Sequence, residues 1–112
     1  MKIHTRTVGD VHILDISGKI ILGEATQTLR HTINDLLVNG GHKIVLNLTE
    51  VNYIDSSGIG ELVRTYTTVT REGKQLRLLN LTSKIRELLV ITKLLTVFQV
   101  YENEQAALAS FA

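Results

Sequence analysis

The sequence contains no cysteine and no proline among its 112 residues. Without cysteine the chain has no disulfide and no thiolate metal site, and the redox compartment stays undetermined. The absence of proline suits a compact domain with short connections but identifies no fold. No apolar run approaches the roughly 20 residues of a membrane-spanning helix, so we expect no membrane insertion. The segment from Met1 to Arg6 lacks the apolar block of a signal peptide, and we therefore expect a cytoplasmic protein.

An excess of charge of either sign is also lacking. Twelve Lys and Arg residues face eleven Asp and Glu residues, for a net charge of +1 at pH 7 with neutral histidines. The cations are scattered, so nothing in the charge pattern predicts direct nucleic-acid binding. With 44% hydrophobic and 21% charged residues, the composition is that of a globular protein and argues against disorder. The length predicts a single domain over residues 1–112.

Hydrophobic periodicity predicts strands that alternate with helices after an initial hairpin. The predicted strands cover residues 3–8, 11–17, 43–48, 75–79 and 97–101. Gly9-Asp10 suits the hairpin turn, and the segment from Ile20 to Leu22 either continues the second strand or forms an extended connection. This order predicts an α/β fold with a mostly parallel sheet of about five strands, one antiparallel edge strand and about four helices.

Four helices follow from the same periodicity. The first covers residues 24–38 and the second runs from a polar turn to about Arg71. A third begins at Thr82 or Ser83 with Ile85, Leu88, Leu89 and Ile91 inward, and a fourth follows Asn103 with Ala107, Leu108 and Phe111 inward. In the second helix the apolar face comprises Ile59, Leu62, Val63, Tyr66 and Val69. The face predicted to meet solvent comprises Glu61, Arg64, Thr65, Thr67 and Thr68.

The stretch from Val51 to Gly60 joins the central strand to the second helix, and it is the candidate functional site. Asp55, Ser56 and Ser57 stand where the first N–H groups of a helix are free. One interpretation is that Asp55 or a serine only caps the helix. The other is that a serine here carries a phosphate, because free N–H groups and the positive end of the helix dipole tolerate one.

Two glycines open the second helix, although glycine there costs up to roughly 1 kcal/mol relative to alanine. Either a kinase or partner needs close access to the backbone at Gly58 and Gly60, or the helix packs tightly against a neighbouring strand.

Other chemistry has weaker support, and we predict no catalytic residue, no metal site and no cofactor. None of the four histidines stands at metal-ligand spacing. The glycines Gly58 and Gly60 lack both the third glycine of a dinucleotide fingerprint and a phosphate-loop lysine. Ser56 lacks the leading glycine of a nucleophile elbow. An enzyme with Ser56 as nucleophile, or a nucleotide-binding domain, is the minor alternative.

The segment from Val45 to Gly60, VLNLTEVNYIDSSGIG, resembles the signature of bacterial anti-sigma factor antagonists of the STAS domain family. In that family an apolar strand leads to an Asp-Ser-Ser/Thr/Ala-Gly-Leu/Ile-Gly turn at a helix start. The resemblance extends over essentially the whole chain, including its length, its element order and the later turn at Gly73-Lys74. The turn is fairly specific within this strand and helix setting and weak without it.

The resemblance implies a regulator without enzymatic activity. The unphosphorylated form would bind an anti-sigma factor that is itself a serine kinase and so release the sigma factor. Phosphorylation would break that complex, and a metal-dependent serine phosphatase would reverse it. Ser56 is the implied phosphorylation site, with Ser57 as second choice. The implied partner-binding residues are Asp55, Ser56, Ser57, Gly58, Ile59, Gly60, Glu61 and Arg64.

One departure from the family pattern concerns partner choice. Many members carry Gly-Glu-Leu/Ile-Asp after the second strand, whereas this chain has Gly18-Lys19-Ile20-Ile21. The family also includes scaffolds and accessory subunits of signalling or transport complexes that need no phosphorylation, and this is the alternative function. We expect a monomer or a weak dimer with a small apolar contact patch near Leu94-Leu95.

Overall fold

The computed structural model describes residues 1–111. The strands are β1 (Lys2–Val8), β2 (Val11–Ile20), β3 (Lys43–Ile54), β4 (Gln75–Leu79) and β5 (Val100–Tyr101). The helices are α1 (Glu24–Val38), α2 (Ser56–Arg71), α3 (Ser83–Ile91) and α4 (Glu104–Ala109). This order and these element types confirm the predicted α/β fold.

The strands form one sheet in chain order. β1 pairs antiparallel with β2 across the tight turn at Gly9-Asp10, where Gly9 has a φ of 61°. All the other neighbours in the sheet pair in parallel. The parallel pairs are joined by the helical crossovers that such pairing requires.

The central strand is longer than its apolar run predicted. We expected β3 to end at Leu48, but it continues to Ile54, paired with the end of β2. β4 pairs only with Lys43 to Asn47, so beyond that point one edge of β3 has no neighbouring strand in residues 1–111. This part of β3 contains exposed polar residues, so a prediction based on continuous apolar runs does not detect it.

Two hydrophobic clusters hold the sheet between its helices. Buried side chains of α1, α2 and α3 pack against one face, which includes Leu14, Ile44 and Leu46. α4 covers part of the other face, where Ala107 contacts a smaller cluster. No helix in residues 1–111 combines the length and the apolar character needed to cross a membrane.

The C-terminal third contains two wrong predictions. Residues 97–101 were predicted as a strand, but Leu95–Val97 form a 3₁₀ turn and only Val100–Tyr101 pair with β4. Ile91 was placed inward, yet it is 67% exposed, because it follows buried Leu89 by two residues and so points to the other side of α3. Near the expected contact patch, Leu94 and Leu95 are only half-buried.

Arg6 links the β1–β2 hairpin to α4 through two ion pairs. Its guanidinium donates to the Asp15 carboxylate at 2.7 Å and to the Glu104 carboxylate, 98 residues away in the sequence, at 3.1 Å. These contacts hold the pKa values of Asp15 and Glu104 below their ordinary range. The pKa of each carboxyl group is lower in the folded state than in the unfolded state. This stabilisation is therefore complete at neutral pH and is lost as the pH falls below about 4.

We expect Arg6→Met to lower the free energy of unfolding at pH 7 by about 1 kcal/mol, since all three side chains are about one third exposed to solvent. At pH 3 the variant and the wild type are expected to differ less. Urea unfolding at the two pH values measures both differences. An equal loss at pH 3 and pH 7 would show that the Arg6 side chain acts by packing and not by charge.

Candidate functional site

Asp55 is the single residue between β3 and α2, and it caps the helix. Its backbone is extended, and its Oδ1 accepts the N–H of Gly58 at 2.8 Å. Its Oδ2 accepts the N–H of Leu22 at 3.2 Å, and its own N–H donates to the Ile20 carbonyl. The hydrogen bonds that the carboxylate accepts, led by the one from Gly58, lower the pKa of Asp55. The capping interpretation therefore applies to Asp55.

Because Asp55 caps the helix, neither of the two serines serves as its N-cap. Ser56 is exposed at the first position of α2, and Ser57 is half-buried. Neither hydroxyl is hydrogen-bonded to another part of residues 1–111. The Ser56 hydroxyl is thus accessible beside the free N–H groups at the start of α2. Its phosphorylation stays a prediction.

The two glycines of α2 have different surroundings. A Cβ on Gly58 would stand 2.2 Å from the Ile20 carbonyl oxygen and 2.6 Å from Cγ1 of Ile54. A Cβ on Gly60 would meet nothing within 4 Å. Tight packing against the sheet therefore accounts for Gly58. Gly60 is exposed, so packing does not explain why a glycine stands there. Of the two interpretations of these glycines, access for a partner is the one that remains for Gly60.

The polar face of α2 is only partly a solvent face. Glu61 and Thr65 were predicted to meet solvent, but they are 4% and 3% exposed because α1 packs along α2. The Arg30 guanidinium on α1 donates to the Glu61 carboxylate at 2.7 Å, and this contact raises the pKa of Arg30. Sequence reasoning missed Arg30, since only the packing of the two helices pairs it with Glu61.

The predicted partner-binding residues are therefore unequal in access. Ser56, Gly60 and Arg64 are exposed. Asp55 and Ser57 are half-buried, whereas Gly58, Ile59 and Glu61 are buried. Only the exposed and half-buried members are accessible on the surface, and the role of the set in partner binding stays a prediction.

A groove of about 370 Å³ opens beside Ser56. Its apolar wall is formed by Tyr53, Ile59 and Leu88, and Lys84 from the first turn of α3 provides the cation. Within residues 1–111 no histidine lines this groove, so Ser56 has no imidazole base there. An accessible hydroxyl beside an apolar wall is compatible with the docking of a protein.

A second hollow, of about 520 Å³, lies at the corner between β2 and α1. Lys19, Ile21, Leu22 and Glu24 line it. The hydrogen bond from Leu22 to Asp55 places this corner directly against the start of α2. The two hollows therefore flank the turn that presents Ser56.

The sequence and the fold are similar to those of known proteins. The chain is 27% identical over 105 residues to an anti-sigma-B factor antagonist of Staphylococcus epidermidis, a match covering 94% of this chain and 96% of the relative. A crystal structure of a putative anti-sigma factor antagonist from Thermotoga maritima superposes with a TM-score of 0.87 at 25% identity, covering 96% of this chain and 92% of that one.

The fold is also that of the Bacillus cell fate determinant SpoIIAA in its phosphorylated form. The TM-score is 0.77 at 18% identity, over 99% of this chain and 100% of that one. The family model described as STAS domain matches residues 2–107. The chain therefore belongs to the STAS domain family.

Proposed function

We propose that this protein is an anti-sigma factor antagonist that acts by partner switching. Unphosphorylated, it binds an anti-sigma factor serine kinase in the cytoplasm and frees the sigma factor. Phosphorylation of Ser56 ends the binding, and a metal-dependent serine phosphatase restores it. The protein itself is neither an enzyme nor a cofactor carrier. The observation that carries the proposal is the exposed hydroxyl of Ser56 at the first position of α2, beside an apolar groove.

A phosphate on Ser56 fits the folded domain. The free N–H groups of the first turn and the helix dipole favour an anion at this position. Lys84 lines the same groove and offers a counter-charge from α3. The side chain is exposed, so the phosphate stays hydrated and requires no rearrangement of the core. The switch is therefore local to the surface.

The same phosphate is unfavourable once a partner covers the site. It adds about −1.5 to −2 charges at neutral pH, next to the ionised carboxylate of Asp55. A docked protein would remove water from it against the apolar wall of Tyr53, Ile59 and Leu88. Lys84 supplies one positive charge, which does not balance both the phosphate and the Asp55 carboxylate, and burying the excess negative charge costs an interface several kcal/mol. Phosphorylation thus separates the complex without unfolding either protein.

The test is intact-mass and peptide mass spectrometry on protein purified from its own cells, with and without stress. We expect one phosphate on Ser56, with an occupancy that changes with the conditions. Ser56→Ala should abolish it, and Ser57→Ala, the matched control on the neighbouring hydroxyl, should retain it. A phosphate only on Ser57, or none under any condition, would contradict the proposal and favour a non-phosphorylated scaffold. Turnover of an activated ester that is lost in Ser56→Ala would favour an enzyme instead.

A further inference from the structure

Two hydrogen bonds fix the corner between β2 and α1 to the turn formed by Asp55, Ser56 and Ser57, which we call the switch turn. Asp55 accepts the N–H of Leu22, and its own N–H donates to the carbonyl of Ile20. Gly58 packs against that same carbonyl. A protein surface that covers Ser56 therefore also meets the residues on either side of Ile20.

The corner exposes apolar side chains. Seven large hydrophobic residues stand exposed in residues 1–111, and three of them, Ile21, Leu22 and Tyr53, surround this turn. Leu22 is 74% exposed, although its backbone is held by Asp55. Because its backbone N–H is already bonded, Leu22 loses little backbone freedom on binding, and the burial of its side chain is favourable. Leu22 therefore has the properties of an anchor for an apolar pocket.

Within the described part of the chain, the corner contains one cationic side chain, Lys19, that is free to pair with a partner. Lys19 is exposed, lines the hollow next to Leu22, and forms no ion pair within residues 1–111. It pairs in register with Tyr53, which lines the groove beside Ser56. Lys84 also lines that groove. Glu24 and Asp55 are the carboxylates near the corner, and Asp55 is already bonded to backbone N–H groups.

We propose that the anti-sigma factor recognised by this chain presents an apolar pocket to Leu22 and a carboxylate to Lys19. This inference rests on the proposed function and adds the chemistry of the partner. Lys19 is the cation of this corner, and the neighbouring exposed side chains of Ile21 and Leu22 carry no charge. An anti-sigma factor that places a cation opposite Lys19 is repelled there, so this residue affects partner choice as well as affinity.

The test uses the purified anti-sigma factor that phosphorylates Ser56, with affinity measured by calorimetry. We expect Lys19→Glu and Leu22→Ser each to weaken binding at least about tenfold. Arg71→Glu makes the same charge reversal at the other end of α2, roughly 22 Å along the helix, and should change affinity less than about twofold. Changing the partner's facing carboxylate to lysine should restore binding to Lys19→Glu.

Wild-type affinity for Lys19→Glu and Leu22→Ser, with binding still lost in Ser56→Asp, would overturn this inference and leave the proposed function intact. No binding of any anti-sigma factor by the wild type would overturn both. If the two variants change self-association in sedimentation equilibrium but not anti-sigma factor binding, the corner contacts a second copy of this chain, and the inference is wrong.

Discussion

Replacing Gly58 by alanine is expected to cost the domain at least about 3 kcal/mol of unfolding free energy, the upper end of what overpacking usually costs. The added Cβ would overlap a backbone carbonyl, that of Ile20, at 2.2 Å. Neither side can move easily, because Asp55 bonds to both Gly58 and Ile20. Small domains are stable by only about 5–15 kcal/mol, so the loss is a large part of the total.

Gly60→Ala is the matched control, two residues along the same helix. Its Cβ meets nothing within 4 Å, so only the gain in helix propensity remains, up to roughly 1 kcal/mol in the stabilising direction. Urea unfolding followed by circular dichroism measures both variants. A Gly58→Ala domain as stable as the wild type would contradict the close contact between α2 and the end of β2.

The largest effect on binding is expected for Ser56→Asp, which should weaken affinity for the anti-sigma factor about 100-fold. A charge buried without a partner in an interface costs about 2–5 kcal/mol, and 1.4 kcal/mol corresponds to tenfold in affinity. Ser56→Ala keeps the neutral surface and should bind as tightly as the wild type under all conditions. Fluorescence anisotropy or calorimetry with the purified anti-sigma factor measures both.

The free domain should tolerate Ser56→Asp, because an anion at the first position of a helix is favourable. Equal unfolding midpoints for wild type and Ser56→Asp would therefore assign the lost affinity to the interface. Gln105→Glu is the charge control, since it adds one negative charge in the first turn of α4 on the opposite face of the sheet. Loss of binding by Gln105→Glu of similar size would show a general effect of net charge, against the proposal.

The element bounds that were predicted correctly depend on local sequence patterns. The helix over residues 24–38 and the strand over residues 75–79 have the predicted bounds, because apolar periodicity and nearby glycines define both. The cap of the last helix at Asn103 was also correct. The prediction of a strand over residues 97–101 was wrong. The apolar side chain of Phe98 is buried, and of these residues only Val100 and Tyr101 pair with β4.

The features of the candidate site are likewise of two kinds, those set by neighbouring residues and those set by contacts between distant elements. The sequence by itself determined the element order and the strand, turn and helix that present Asp55 and Ser56, because these depend on residues close together in the chain. Only the tertiary structure decided that Gly58 is needed for packing, that Glu61 is buried against Arg30, and that Leu22 stands beside the switch turn. Each of those facts is a contact between elements distant in sequence, and such contacts exist only after the helices have packed on the sheet.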